Sequence, residues 1–280
     1  MFKRVKLAAI IFIFTIGKAN SQFYYSDILI NKVANNNYIN YKNNKVKKII
    51  GSNATVNSNN EKEGITVQQY FTNNWGTLTT ETNLSVGIKT SSTTTFVNNK
   101  IIKKEEEGKN VNSIVSYEYD NAGKLTGIYT SSDDTSVNKG FNEKHIWTYD
   151  AKLQPSKMLK IKNNTDTTMV EFLKDEQNNI AEERWTKKGE LIETYYYYYN
   201  EKNLLTDVVK FNMKVGKMLP EFLFDYDTNN NLVQMTQIPF GSDNYNIWKY
   251  YYNQNGLKEK ENCYSKKGEI IGKMEYSYSY

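Results

Sequence analysis

One recurring turn signature restricts this chain more than any other feature. Its sharpest copy is Tyr117-Glu-Tyr119-Asp120-Asn-Ala-Gly123-Lys-Leu125. With Tyr119 as position zero, the frame returns at Tyr149-Asp150, at Asp175 to Ile180 and at Tyr199-Asn200 to Leu205. It returns again at Tyr226-Asp227 to Leu232 and at Tyr252-Asn253 to Leu257, with degraded copies at Phe96 to Ile102 and Phe71 to Leu78. The anchors lie roughly 25–30 residues apart, a period that marks a repeat array. Asp or Asn at +1 bonds backbone N–H groups two residues on and starts a type I turn. Gly123, Asn178, Asn203, Asn230 or Gly256 at +4 tolerates the positive φ that a closing bulge demands. Leu153 and Lys100 break that rule, which predicts a distorted turn or another turn type there. A second turn, Trp185 to Leu191 and Tyr264 to Ile270, falls between anchors in two nearly identical copies. Turns therefore alternate between opposite ends of the strands, as in an antiparallel meander.

Before each turn, alternate residues are aromatic: Tyr117 and Tyr119, Trp147 and Tyr149, Tyr195, Tyr197 and Tyr199, Phe222, Phe224 and Tyr226, Trp248, Tyr250 and Tyr252. The residues between them include Glu118, Thr148, Asp225 and Lys249. Period-two alternation of this kind marks a sheet with one buried face. The fold class is all-β, a meander of tandem β-hairpins from residue 65 to 280, in a curled or twisted sheet whose aromatic face needs cover. Residues 22–64 form an N-terminal leader or cap, in which Asp27 to Ala34 reads as a short helix or strand. Thr90 to Thr95 and Ser131 to Asn138 read as long hairpin loops.

The signature resembles the YD repeat of RHS-type bacterial surface and toxin-shell proteins, across roughly residues 65–280. The Asn-, Lys- and Tyr-rich form is similar to short YD-repeat-like proteins exported by Bacteroidetes-type bacteria. The resemblance implies a hairpin array. Full RHS proteins close into a shell and carry a toxin, whereas here the chain stops in the strand-like Tyr276-Ser-Tyr-Ser-Tyr280. An unsealed sheet with a free edge is the expectation.

The first residues carry a different message. Lys3, Arg4 and Lys6 precede an apolar run from Leu7 to Gly17, and Ala19-Asn20-Ser21 supplies small residues for cleavage. That is a signal peptide over residues 1–21, too short to span a bilayer, which takes ~20 apolar residues. The expected destination is the periplasm, the cell surface or the medium, in a form that does not span the membrane. Removing that segment takes Lys+Arg from 36 to 32 against 31 Asp+Glu, so the net charge of +5 falls to +1. Nucleic acid is thus not an expected partner, because phosphate neutralisation needs clustered base.

Catalytic chemistry finds few residues. His145 is the one histidine and sits in an aromatic-ladder slot, where a packed structural role is expected. Cys263 is the one cysteine, so no intramolecular disulfide forms; it is placed on the less aromatic face as an inert thiol. Asp120, Asp150, Asp175 and Asp227 recur where the turn needs them, and Asp133-Asp134 lacks calcium-loop spacing. No enzyme activity, cofactor or metal is expected. The expected function is a non-enzymatic binding module for glycan or another cell-surface polymer. Tyr196, Tyr198 and Tyr251, on the face opposite the ladder, are the candidate ligand-binding residues. The alternatives are a scaffold that pairs its edge at Tyr276 to Tyr280 with an exported partner, or a carrier of apolar ligand lidded by Ile28 to Val33.

Overall fold

The computed structural model describes residues 23–280 except 54, 57–61, 85–86, 109–110, 135–138, 213–215 and 240–241. The signal-peptide reading of residues 1–21 lies outside that range. The leader contains helix α1 (Tyr25–Asn43), β1 (Lys48–Ser52) and a minor hairpin of β2 (Thr55–Val56) and β3 (Lys62–Glu63). Then come β4 (Ile65–Thr72), β5 (Thr77–Leu84), β6 (Lys89–Val97), β7 (Lys100–Glu107), β8 (Val111–Tyr119), β9 (Leu125–Asp134) and β10 (Lys139–Tyr149). They are followed by β11 (Pro155–Lys162), β12 (Asp166–Lys174), β13 (Ile180–Lys187), β14 (Glu190–Tyr199) and β15 (Leu205–Asn212). The last five are β16 (Lys217–Tyr226), β17 (Leu232–Gln237), β18 (Asn246–Tyr252), β19 (Lys258–Ser265) and β20 (Ile270–Ser279). Thr90 to Thr95 therefore lies in β6 and Ser131 to Asp134 in β9. These residues belong to strands, not loops: 91–95 and 131–134 have ladder partners on both sides and Thr90 pairs with Thr82, while residues 135–138 of that second reading lie outside the described range.

From β4 to β20 every strand pairs antiparallel with the next. The strand that settles the architecture is β1: Ile50 lies opposite Ser277 on one side and Gln68 on the other. It joins β20 to β4, and the 18-stranded sheet closes into a barrel. This corrects two expectations. The sheet is sealed, not an open curl, and Tyr276 to Tyr280 is no free edge, since Lys48–Ser52 occupies it. Unpaired edges invite association, and five residues of the leader remove both. Gly51 suits that seam: a Cβ there would lie 3.0 Å from the Tyr276 ring, a tight contact that glycine avoids.

The turns follow the signature closely. Gly123 N–H bonds Asp120 O, and Asp120 N–H bonds Lys124 O; the same pair of bonds recurs at Asp150, Asp175, Asn200, Asp227 and Asn253. Leu153 adopts φ +58° itself, so its turn keeps the standard form, while Asn98 and Asn99, at +51° and +61°, make a two-residue turn before Lys100. The two Lys-Lys-Gly hairpins diverge despite matching sequences. Lys188 and Gly189 form a two-residue turn, but Ser265 N–H bonds Glu269 O across a longer one. The resulting one-residue slip turns Trp185 inward and Tyr264 outward, because side chains alternate with period two.

The barrel's inner face is the aromatic ladder, and its position-zero tyrosines tie each repeat to the one before. Tyr119 Oη donates to Ile101 O, Tyr149 to Leu125 O, Tyr199 to Ile180 O, Tyr226 to Leu205 O and Tyr252 to Leu232 O; Tyr278, 26 residues after Tyr252 and outside any signature turn, makes the same bond to Lys258 O. Each acceptor lies where the strand leaves the previous signature turn. The one copy with lysine at this place, Lys174, reaches back to the Asp150 carboxylate instead. Outside, ion pairs are interspersed with exposed apolar side chains: Lys103 pairs with Glu105, Lys157 with Glu171, Arg184 with Glu182 and Lys273 with Glu275, at 2.7–3.1 Å, among Ile146, Met169, Leu173 and Phe211. Replacing Tyr226 by Phe keeps the ring and orphans the Leu205 carbonyl. A loss of about 1–3 kcal/mol is expected, read as a lower urea midpoint; an unchanged midpoint would show that the hydroxyl bond carries no weight.

Candidate functional site

The lumen has two layers. Near the signature turns it is aromatic, and helix α1 runs across it. At ~1.5 Å per residue, 19 residues reach about 28 Å. The contacts at its two ends fall on opposite sides of the ring. Phe23 and Tyr24 pack among Trp147, Phe172, Tyr195, Tyr197 and Val208, with Trp185 and Phe222 beside them. Tyr38 stacks on Phe96 with ring centroids 4.0 Å apart, and Tyr41 meets Phe71 and Tyr278. Asparagines stitch the polar side of the helix to the wall: Asn31 Nδ2 donates to Tyr119 Oη, Ile101 N–H to Asn35 Oδ1, and Asn40 Nδ2 to Gly256 O. The segment Ile28 to Val33 is thus part of a longer plug, not a short lid.

Two charged contacts fix the N-terminal end of this helix. Glu183 is fully buried, and its carboxylate accepts the backbone N–H groups of Tyr24 at 2.7 Å and Tyr25 at 2.9 Å. It also accepts Trp185 Nε1 and Tyr197 Oη, each at 2.5 Å. A carboxylate from another strand thereby caps the positive end of the helix dipole. Burial pushes its carboxyl above the ordinary range, and the four donors work against that shift.

The second contact is His145. Its Nδ1 lies 2.6 Å from Asp27 Oδ2 and its Nε2 lies 3.0 Å from Glu143 Oε1; Lys160 pairs with the other Glu143 oxygen at 3.1 Å. Burial would lower the imidazole pKa, but the two carboxylates outweigh it and push it up to about 9. A group whose folded-state pKa is raised stabilises fully below its unfolded value and loses that contribution as pH climbs through the folded one. Stability should therefore decline between about pH 6.5 and 9, by up to about 3 kcal/mol. Urea titrations across that range check this, with His145→Gln flattening the slope; equal slopes for the two proteins would contradict it.

Above the aromatic layer the inner wall turns polar. On β4 to β7 a cavity of about 160 Å³ is lined by Gln69, Thr80, Thr82, Ser92, Thr94, Lys104 and Glu106, with Leu78, Thr90 and Ser91. Gln69 Nε2 donates to Thr80 Oγ1 at 3.1 Å, and Lys104 Nζ lies 3.4 Å from Glu106 Oε2. The alternation of these strands carries Leu78 and Phe96 into the core and, further along, the hydroxyls into the lumen. The run of Thr and Ser in β5 and β6 was the signal for this wall.

Tyr196, Tyr198 and Tyr251 face outward; Tyr198 and Tyr251 are exposed and Tyr196 is half-buried. Tyr196 and Tyr198 share β14, whereas Tyr251 lies four strands away on β18, so the three do not form one site. Cys263 does not lie on the less aromatic face. It is fully buried, opposite Trp248 on the inner wall, because the bulge between Cys263 and Tyr264 shifts the alternation. Burial pushes its thiol up to about 11. Among the described residues no cluster of His, Cys, Asp and Glu is arranged to hold a metal ion.

No family model and no curated protein matches the chain. Among solved structures it is similar to a porin-like protein from Bacteroides uniformis, with 10% identity over 84% of this chain and 96% of that one and a TM-score of 0.39. It is also similar to part of the Photorhabdus luminescens Tc holotoxin pore, with 15% identity over 75% of this chain and 11% of that one and a TM-score of 0.34. A third similarity is to a chain of the TcdB2-TccC3-Cdc42 structure, with 9% identity over 80% and 19% of the two chains and a TM-score of 0.21.

Proposed function

We propose that this chain is an exported, non-enzymatic binding module for glycan or a similar polyhydroxylated polymer, and that it takes its ligand on the polar inner wall of the barrel. The observation that carries this reading is the cavity on β4 to β7, where hydroxyls, an amide and a Lys–Glu pair converge. Such a lining matches the alternating donors and acceptors of a sugar. At about 160 Å³ it falls below the ~300 Å³ of drug-sized pockets and suits a single sugar unit. The ion pairs on the outer wall support a barrel that faces water, since a membrane-spanning barrel needs an apolar outer band ~25 Å tall. The turn signature and hairpin array support placing the chain with short YD-repeat-like proteins of the RHS type.

The other readings have weaker support. An apolar carrier needs its aromatic face free, and α1 covers it. A strand-accepting scaffold needs an open edge at Tyr276 to Tyr280, where β1 already pairs. For catalysis, His145 is held between two carboxylates and Cys263 is buried.

A glycan array probed with the full chain tests the proposal. Any hit should weaken about tenfold or more in the double variant Thr80→Val with Thr94→Val and stay unchanged in Tyr196→Ala with Tyr198→Ala. Loss in the tyrosine variant alone would move the site to the outer wall, and no hit at all would count against a glycan ligand.

A further inference from the structure

The end of the barrel away from the signature turns exposes an unusual set of side chains. The two hairpins with matching sequences, Lys187-Lys188-Gly-Glu190-Leu191-Ile192 and Lys266-Lys267-Gly-Glu269-Ile270-Ile271, both project from this rim. Leu191 and Ile270 are 61% and 58% exposed, more than any other large apolar side chain among the described residues, and Ile192 and Ile271 beside them are exposed too. Two other hairpins on the same rim repeat the chemistry with Ile88 next to Lys89 and Met218 next to Lys217, all exposed. These four tips carry six lysines against two acids, Glu190 and Glu269. Lys187 is ion-paired with Asp166 of the adjoining hairpin, which leaves five for other partners; the remaining hairpins of the rim hold Lys139 and Lys162 beside Glu107, Asp133, Asp134, Asp166 and Asp243. At the opposite end, the hairpin tips carry the turn carboxylates Asp120, Asp150, Asp175 and Asp227.

We propose that this rim docks on an anionic lipid surface, with the aliphatic tips entering the headgroup region and the lysines meeting lipid phosphates. Solvent-exposed aliphatic pairs at hairpin tips cost hydration and find their relief in an apolar phase. Lysines beside them add attraction to an anionic leaflet. The tips lie on four hairpins of one rim, three of them within β13 to β20 and one at β5–β6, so they can meet a plane together, with the charged pairs of the outer wall favouring a barrel that rests on the membrane. A second copy is the other occupant such tips could meet, and the vesicle experiment separates the two. The inference stands apart from the glycan reading and from the lumen.

Co-sedimentation of the full chain with vesicles tests it, using phosphatidylcholine alone and phosphatidylcholine with about one-third phosphatidylglycerol. The chain should pellet with the anionic vesicles and be released by salt. Leu191→Ser with Ile192→Ser, Ile270→Ser and Ile271→Ser should weaken that binding about tenfold or more. So should Lys188→Glu with Lys267→Glu, a variant that leaves the aliphatic tips intact, and both should melt as the parent does. No binding to anionic vesicles, or unchanged binding in either variant, would overturn the proposal. So would a lipid-free dimer that the serine variant dissolves, which would assign the rim to a second copy.

Discussion

The arrangement of this molecule depends on one buried carboxylate. Glu183 sits on the inner wall where the N-terminus of α1 arrives, and without partners its burial would cost several kcal/mol. Two backbone N–H groups of the helix entrance, an indole N–H and a phenol hydroxyl satisfy it. The geometry works in both directions. The helix gains an anion at its positive end, and the carboxylate gains the donors that burial removed. The helix then lies across the lumen and covers the aromatic ladder, which water would otherwise meet on every strand. At ~25 cal/mol per Å² of apolar area, leaving that face open would forgo a large share of the driving force for folding.

Much of this was legible in the sequence, and the limits have physical reasons. The signature turns were readable because Asp at +1 and Gly or Asn at +4 are local requirements. The ladder was readable because strands alternate. Closure was not, because Lys48–Ser52 is a five-residue strand whose function lies in its two neighbours, 18 and more than 220 residues away. Helix α1 was reduced to a short segment because its six asparagines weaken the apolar stripe that marks an ordinary amphipathic helix; three of them, Asn31, Asn35 and Asn40, serve as hydrogen-bond donors and acceptors to the wall. Cys263 was assigned to the wrong face because a bulge shifts the alternation by one residue, and no local signal announces that bulge. The tyrosine at position zero seemed to be a ladder aromatic only. Its hydroxyl bond to the preceding repeat explains why Tyr, and not Phe, stands there in five copies.

The candidate sites divide in the same way. Tyr196, Tyr198 and Tyr251 face outward, as alternation requires, but strand order scatters them. The polar pocket arises from Gln69 on β4, hydroxyls on β5 and β6 and a Lys–Glu pair on β7, which only the register brings together. The result is a barrel with distinct ends: one plugged by a helix and ringed by turn carboxylates, the other rimmed by aliphatic and basic hairpin tips. A polar wall lines the space between.

The claim that Glu183 holds the plug in place is tested most directly by amide hydrogen exchange on the full chain and on Glu183→Gln. The amide of glutamine would point a donor at donors. Exchange across Tyr25–Asn43 should speed up about a hundredfold, while the ladder amides of β5 to β9, on the far side of the ring, keep their protection. Equal protection of the helix in both proteins would show that packing alone retains it and would contradict the account.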